Sequence, residues 1–153
     1  MLTPRTSVAG FALLGLVVLG ACGSDSTSST TAAPAGSAAP GATVSGSLDA
    51  ADQTSDGKTI TVSTVNITGS SGFIAVHADA SGGPGPVVGH AAVPEGDSTS
   101  VVITLDAPIT TGAYWPMLHT DAGTIGTYEF PGPDGPVKSG ADIVMKKITV
   151  TVG

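Results

Sequence analysis

Thr59-Ile60-Thr61-Val62-Ser63-Thr64-Val65-Asn66-Ile67 alternates apolar and polar side chains almost residue by residue. Side chains of an extended chain project to opposite faces with a period of two, so this stretch reads as a half-buried strand. The apolar phase changes between Val62 and Val65, which predicts a β-bulge. Working outward, the same period predicts strands at Val44-Leu48, Gly72-Ala78, Val87-Val93, Thr99-Asp106, Ala113-His119, Gly126-Phe130 and Ile143-Val152. Turn chemistry separates nearly all of them: Gly69-Ser70-Ser71-Gly72, Gly82-Gly83-Pro84-Gly85-Pro86, Pro94-Glu95-Gly96-Asp97 and Pro131-Gly132-Pro133-Asp134-Gly135-Pro136. No helical period competes with this pattern after the first residues of the chain. The expected fold is therefore all-β, a single antiparallel β-sandwich of the immunoglobulin-like or cupredoxin-like kind. Its core, read from the alternation, is Ile60, Val62, Val65, Ile67, Ile74, Val76, Val101, Ile103, Leu105, Tyr114, Leu118, Ile148, Val150 and Val152.

Toward the N-terminus the composition changes twice. Between Gly23 and Thr43 every residue except Asp25 is Ser, Thr, Ala, Gly or Pro. Such a segment has nothing to bury, so the entropy of ordering it goes uncompensated and it reads as a flexible linker. Before it, Arg5 and the apolar run Val8 to Leu19 make a signal peptide, too short for the roughly 20 residues a bilayer span needs. The run ends in Leu19-Gly20-Ala21-Cys22, which resembles a bacterial lipobox. That resemblance implies lipidation of Cys22, the chain's single cysteine, by a diacylglyceryl group carrying fatty acyl chains such as palmitate. More than one acyl chain is what stable anchoring takes. The expected organisation is a signal peptide over 1–21, the lipidated Cys22 and its linker over 22–43, and a β-sandwich domain over 44–153. The membrane, reached through Cys22, is the expected partner, and the extracytoplasmic face of the cell envelope the expected location.

Charge and composition narrow the chemistry. Without Arg5, four Lys stand against 12 Asp and Glu, about −8 for the mature chain. A surface this acidic repels phosphate backbones, so no nucleic acid is expected as a partner. With Cys22 acylated no thiol remains, which excludes disulfides, a cysteine nucleophile and thiolate-bound zinc. There is no G-x-S-x-G elbow and no H-E-x-x-H, and the glycine-rich Gly82 to Pro86 holds two prolines that lack the N–H groups a phosphate needs. Charged and aromatic residues make up 11% and 4%, leaving few general acids, bases or stacking platforms, and no enzyme is expected.

Gln53-x-x-x-Gly57, Gly72-Phe73-Ile74-Ala75-Val76-His77, Met117-Leu118-His119-x-Asp121 and Tyr128-x-Phe130-Pro131-Gly132-x-Asp134-Gly135-Pro136-Val137 together resemble a secreted domain family of unknown function. Its members occur in bacterial lipoproteins and archaeal surface proteins. The resemblance covers Gln53 to Val152 and implies an extracellular sandwich-like domain, without implying an activity.

Candidate ligands are few. On one strand Trp115, Met117 and His119 share a face, and Met117-x-His119 pairs a thioether with an imidazole, donors that suit Cu(I). His77 or His90, with Met145, would complete a copper site if the strands converge; no cofactor is expected otherwise. The competing reading is structural: a half-buried histidine bonded to a backbone carbonyl, and Met117 filling space beside Trp115. Asp121, Glu129 and Asp134 pose the same choice between a Ca²⁺ loop and turn chemistry, and turn chemistry is favoured because the D-x-[DN]-x-[DN]-G pattern is missing. If its strand persists, Asp121 shares the face of His119 and would orient that imidazole. The leading expectation is a non-catalytic binding or structural module on a lipoprotein, the alternative a copper-binding envelope protein.

Overall fold

The computed structural model describes residues 43–153; the expected signal peptide, Cys22 and the expected linker up to residue 42 lie outside the described residues. Ten strands follow in chain order: β1 (Ser45–Asp49), β2 (Gln53–Ser55), β3 (Thr59–Thr68), β4 (Gly72–Ala80), β5 (Gly83–Val93), β6 (Gly96–Thr104), β7 (Gly112–Thr120), β8 (Lys138–Ser139), β9 (Asp142–Ile143) and β10 (Ile148–Val152). They form a three-stranded sheet in the order β1-β3-β6, a five-stranded sheet in the order β2-β10-β7-β4-β5, and the small hairpin β8-β9. The pairing is antiparallel with one exception, the parallel ladder of β2 with β10.

Alternation accounts for the core. Ile60, Val62, Val65 and Ile67 of β3 are buried between the sheets with Ile103, Ile74, Val76, Tyr114, Leu118, Ile148 and Val150, while Val101 and Val152 of the expected set pack at its margin. The phase change in β3 is real, but it is not a one-sided bulge. Val62 pairs with Val101 and Thr64 with Thr99 in one unbroken register, so β3 and β6 both pass over a residue at the same rung, Ser63 and Ser100. Ser100 carries the irregularity, with φ of 52°. Because both strands flip together, β3 keeps its apolar side chains inward on each side of that rung, and β6 turns Ser98 inward on one side and Val101 and Ile103 on the other.

Three expected boundaries are corrected. Gly82 to Pro86 is not all turn: the β4–β5 connection is only Ser81 and Gly82, at φ of 57° and 91°, and the strand resumes at Gly83. Two residues of positive φ are the loop that matches strand twist, and Pro84 and Pro86 are tolerated because β5 lies at the sheet edge. The expected strand Ile143-Val152 is interrupted. Asp142 and Ile143 pair with β8, Met145 makes a lone bridge to Met117, and the ladder restarts at Ile148. Pro116 explains the interruption, since its carbonyl accepts from Lys146 N at 2.9 Å but it has no N–H to return. The expected strand Gly126-Phe130 is loop, for reasons that belong to the site described next.

Sequence periodicity also passes over β2, a strand of only three residues. Gln53 at its start reaches the other sheet: its Oε1 accepts from Thr61 N at 2.8 Å and its Nε2 donates to Thr61 O at 2.9 Å. The carboxamide therefore substitutes for a neighbouring strand where β1 no longer covers β3. Gly57, at φ of 77°, turns the chain back into β3 and accepts Ile109 N on its carbonyl.

Candidate functional site

β4 is buried on both faces from Gly72 to His77, although a strand of a two-layer sandwich has only one face toward the core. The inner face, Ile74 and Val76, packs into the sandwich. The outer face, Phe73, Ala75 and His77, is covered by the loop that leaves β7 at Asp121 and returns at Val137. By register Phe73 stands opposite His119, Ala75 opposite Met117 and His77 opposite Trp115, while on the other side Ala75 stands opposite His90. Met145 bridges Met117. All five expected ligand residues thus lie on one face of the five-stranded sheet, outside the main core.

Only two of them meet. His77 and His119 come from opposite ends of that patch, lean toward each other past Ala75 and Met117, and bring their Nε2 atoms to 3.4 Å. They are 4% and 0% exposed. His77 Nδ1 lies 2.7 Å from Gly85 O and His119 Nδ1 lies 2.9 Å from Asp134 O. A carbonyl only accepts, so each Nδ1 carries its hydrogen, and in a neutral ring the lone pair is then on Nε2. The ring centroids are 5.7 Å apart and the planes differ by 15°. That separation exceeds the nitrogen spacing by two ring radii, so the rings are not face to face: they lie nearly coplanar with the two Nε2 aimed at each other.

His90 stands apart. It is exposed and stacks on Tyr128, with centroids at 4.4 Å. Met117 is 4% exposed and lies in the row between the two joined histidines, and Met145 is half-buried one strand further on. Among the described residues no three His, Cys, Asp or Glu side chains gather as a metal-binding group.

The loop roofs the pair with aromatic edges. Phe130 stands edge-on at 4.7 Å from the His119 ring and 5.9 Å from His77, and Tyr128 packs at 5.7 Å from His119 and 5.2 Å from Phe73. Burial disfavours the imidazolium and lowers the His119 pKa, and the nearby His77 acts in the same direction, against the hydrogen bond to Asp134 O. Tyr128 is pushed up to about 12, first by burial and then by the Asp134 charge. Its hydroxyl is enclosed with no hydrogen-bond partner among the described residues.

The carboxylates hold this loop and leave little for a cation. Asp134, fully buried, accepts from Ala122 N and Gly123 N on Oδ1 and from Glu129 N on Oδ2. Asp121 accepts from Gly126 N and Ser71 Oγ, and Glu129 from Thr124 N. This is the turn chemistry expected for the acidic residues. It also explains why Gly126 to Phe130 is not a strand, since amides a ladder would use point at carboxylates. The expected role of Asp121 is corrected: β7 ends at Thr120, and the group that orients His119 is the backbone carbonyl of Asp134. Trp115, at the far end of the patch, donates Nε1–H to Asp79 at 2.9 Å beneath the Lys147 ammonium.

Sequence reasoning missed the parts contributed by the loop, Tyr128 and Phe130, and the carbonyls of Gly85 and Asp134. The one available signal was the spacing of two in Tyr128-x-Phe130, read as a strand when it places two rings on one side of a loop.

One consequence concerns Tyr128. Removing an enclosed hydroxyl without a partner also removes its desolvation cost, so Tyr128→Phe is expected to stabilise the domain by about 1 kcal/mol in urea unfolding at pH 7. The sign with pH follows from the raised pKa. The unfolded phenol ionises near 10 and the folded one near 12, so the unfolded chain releases its proton first and stability falls as pH rises through that interval. The loss is expected to be smaller in Tyr128→Phe, and phenolate absorbance near pH 12 reports the folded titration.

Comparison with known proteins adds two findings. Residues 46–151 match the family model described as Domain of unknown function (DUF7282). The chain is 40% identical over 104 residues to Cell surface glycoprotein 2 of Haloarcula hispanica, a match that covers 66% of this chain and 11% of that protein. No solved structure matches.

Proposed function

Since the chain belongs to the family of the domain of unknown function DUF7282, we propose that it is a lipoprotein whose non-catalytic β-sandwich is displayed outside the cell membrane on a Cys22 anchor. The observation that carries this reading is the sequence Leu19-Gly20-Ala21-Cys22 behind an apolar run, followed by a linker without large side chains. The archaeal relative supports the location, because a domain like this one forms about a tenth of a protein named for the cell surface. The non-catalytic reading draws on the buried carboxylates Asp121 and Asp134, whose oxygens accept from the backbone amides of the loop. A shallow groove along β2 and β10, lined by Asp52, Gln53, Thr54, Thr149 and Thr151, offers hydroxyls and a carboxylate with no nucleophile–base arrangement.

Detergent phase partitioning of cells expressing the full chain tests the anchor. The wild-type chain is expected in the detergent phase, with mass spectrometry placing a diacylglyceryl group on an N-terminal Cys22. Cys22→Ser is expected to abolish the modification and leave the leader uncleaved. An unmodified sulfhydryl on wild-type Cys22, or recovery of that chain from cytosol, overturns the proposal.

A further inference from the structure

We propose that His77 and His119, with Met117 between them, form a buried binding site for a soft monovalent metal ion, copper(I). The argument begins with the two lone pairs. Both Nδ1 positions are committed to carbonyls, so the two Nε2 atoms face each other across 3.4 Å inside the protein, and whenever both rings are neutral two lone pairs meet there. Neither nitrogen has another partner, and buried acceptors without a donor are costly. An electrophile between them removes the conflict.

The surroundings select which electrophile. Metal-bound histidines commonly donate the other ring N–H to a carbonyl or carboxylate, which fixes tautomer and orientation, and both rings here do so. The lone pairs meet head-on, the approach of a two-coordinate ion, and bonds of about 2.0 Å to both imidazoles require the nitrogens to part by about 0.6 Å from the 3.4 Å they now keep. Cu(I) held by two nitrogens readily takes a third, soft donor, and the register sets Met117 between the two histidines on the same face, buried yet outside the main hydrophobic core. Two imidazoles and a thioether, with no carboxylate free to join them, are a soft, neutral donor set that suits Cu(I) over Ca²⁺, Mg²⁺ or a carboxylate-hungry divalent ion. The Phe130 ring stands edge-on to both imidazoles and screens the ion from water; it is itself 37% exposed, so the roof is thin. His90, bound to Tyr128 by stacking, and Met145, one strand beyond, take no part. The site belongs to the folded domain and does not depend on the Cys22 anchor.

The test uses the whole chain carrying Cys22→Ser, so that no thiol competes, in detergent and under reducing, oxygen-free conditions. It is titrated against a chromophoric Cu(I) chelator. One equivalent of copper is expected to leave the chelator. His77→Gln and His119→Gln are each expected to weaken binding at least about 100-fold, the upper range for loss of an outer-shell partner. Met117→Leu, which keeps the volume, is expected to weaken it about tenfold, and His90→Ala to leave it unchanged. A second readout guards against variants that fail to fold: with one equivalent of Ag(I) as a redox-inert stand-in, the ¹⁵N resonances of His77 Nε2 and His119 Nε2 are expected to shift together in the Cys22→Ser chain. Failure to withdraw copper, binding that persists in both Gln variants, or Nε2 resonances that answer to acid but not to Ag(I) overturns the proposal.

Discussion

Asp134→Ala is expected to destabilise the domain by about 3–5 kcal/mol, lowering the thermal midpoint by roughly 15–25 °C. The carboxylate is fully buried and accepts from three backbone amides, those of Ala122, Gly123 and Glu129. Hydrogen bonds to a charged acceptor contribute about 1.5–3 kcal/mol each, and truncation orphans all three donors at once, although the contributions are not additive. Against a total stability of about 5–15 kcal/mol this is a large fraction. The loss is expected to be concentrated in the loop between Asp121 and Val137, so hydrogen exchange at the Ala122, Gly123 and Glu129 amides accelerates more than exchange in β3. Asp134→Asn keeps one acceptor oxygen but sets an amide donor against a backbone donor, and is expected to recover only part of the loss. Thermal unfolding together with exchange separates this mechanism from a general weakening of the core, which would accelerate exchange in both regions equally.

The same residue shows how far the sequence could be read. Period-two alternation locates the long strands that face the sandwich core, because burial on one face is written into each strand separately: Ile60 and Val62, Ile74 and Val76, Ile148 and Val150 announce themselves without their partners. The outer face of β4 is not written that way. Phe73, Ala75 and His77 alternate with the core residues, so the strand reads as continuously apolar, and nothing local says that a loop some 50 residues later will cover them. Met117-x-His119 was legible as a thioether and an imidazole on one face. What joins His119 to His77, 42 residues away in the chain, is the β4–β7 register together with the carbonyls of Gly85 and Asp134, and neither a register nor a backbone carbonyl is marked by side-chain identity. His90 was drawn into the candidate set for its residue type and is held off by Tyr128. The misread Gly126-Phe130 has the same origin. Its alternation is that of a strand, but Asp121, Glu129 and Asp134 capture the amides of Gly126, Thr124 and Glu129, and local hydrogen bonding of this kind competes with sheet formation.

Gly72→Ala is expected to cost about 2–4 kcal/mol, although the change adds a single methyl group and the backbone there is ordinary strand. A β-carbon at Gly72 would run into the backbone carbonyl of His119 and lie 2.5 Å from Ile67 Cδ1. Ile67 has rotamers with which to retreat, but the carbonyl belongs to the neighbouring strand β7 and cannot rotate away without parting the ladder at Gly72–Thr120. Overpacking of a rigid core costs about 1–3 kcal/mol, and here part of a strand pairing is lost in addition. Gly82 provides the opposite case: its φ is 91°, yet no atom lies within 4 Å of where its β-carbon would stand. Gly82→Asn, a residue that tolerates left-handed backbone, is therefore expected to cost less than 1 kcal/mol. Urea unfolding of the two variants side by side measures the contrast. Equal losses would mean that the closeness of β4 to His119 does not matter, whereas the expected ordering ties the stability of β4 to the strand that carries His119. In Gly72→Ala that strand must move relative to His77, so the Nε2 resonances of both histidines are expected to shift in the variant even where it remains folded.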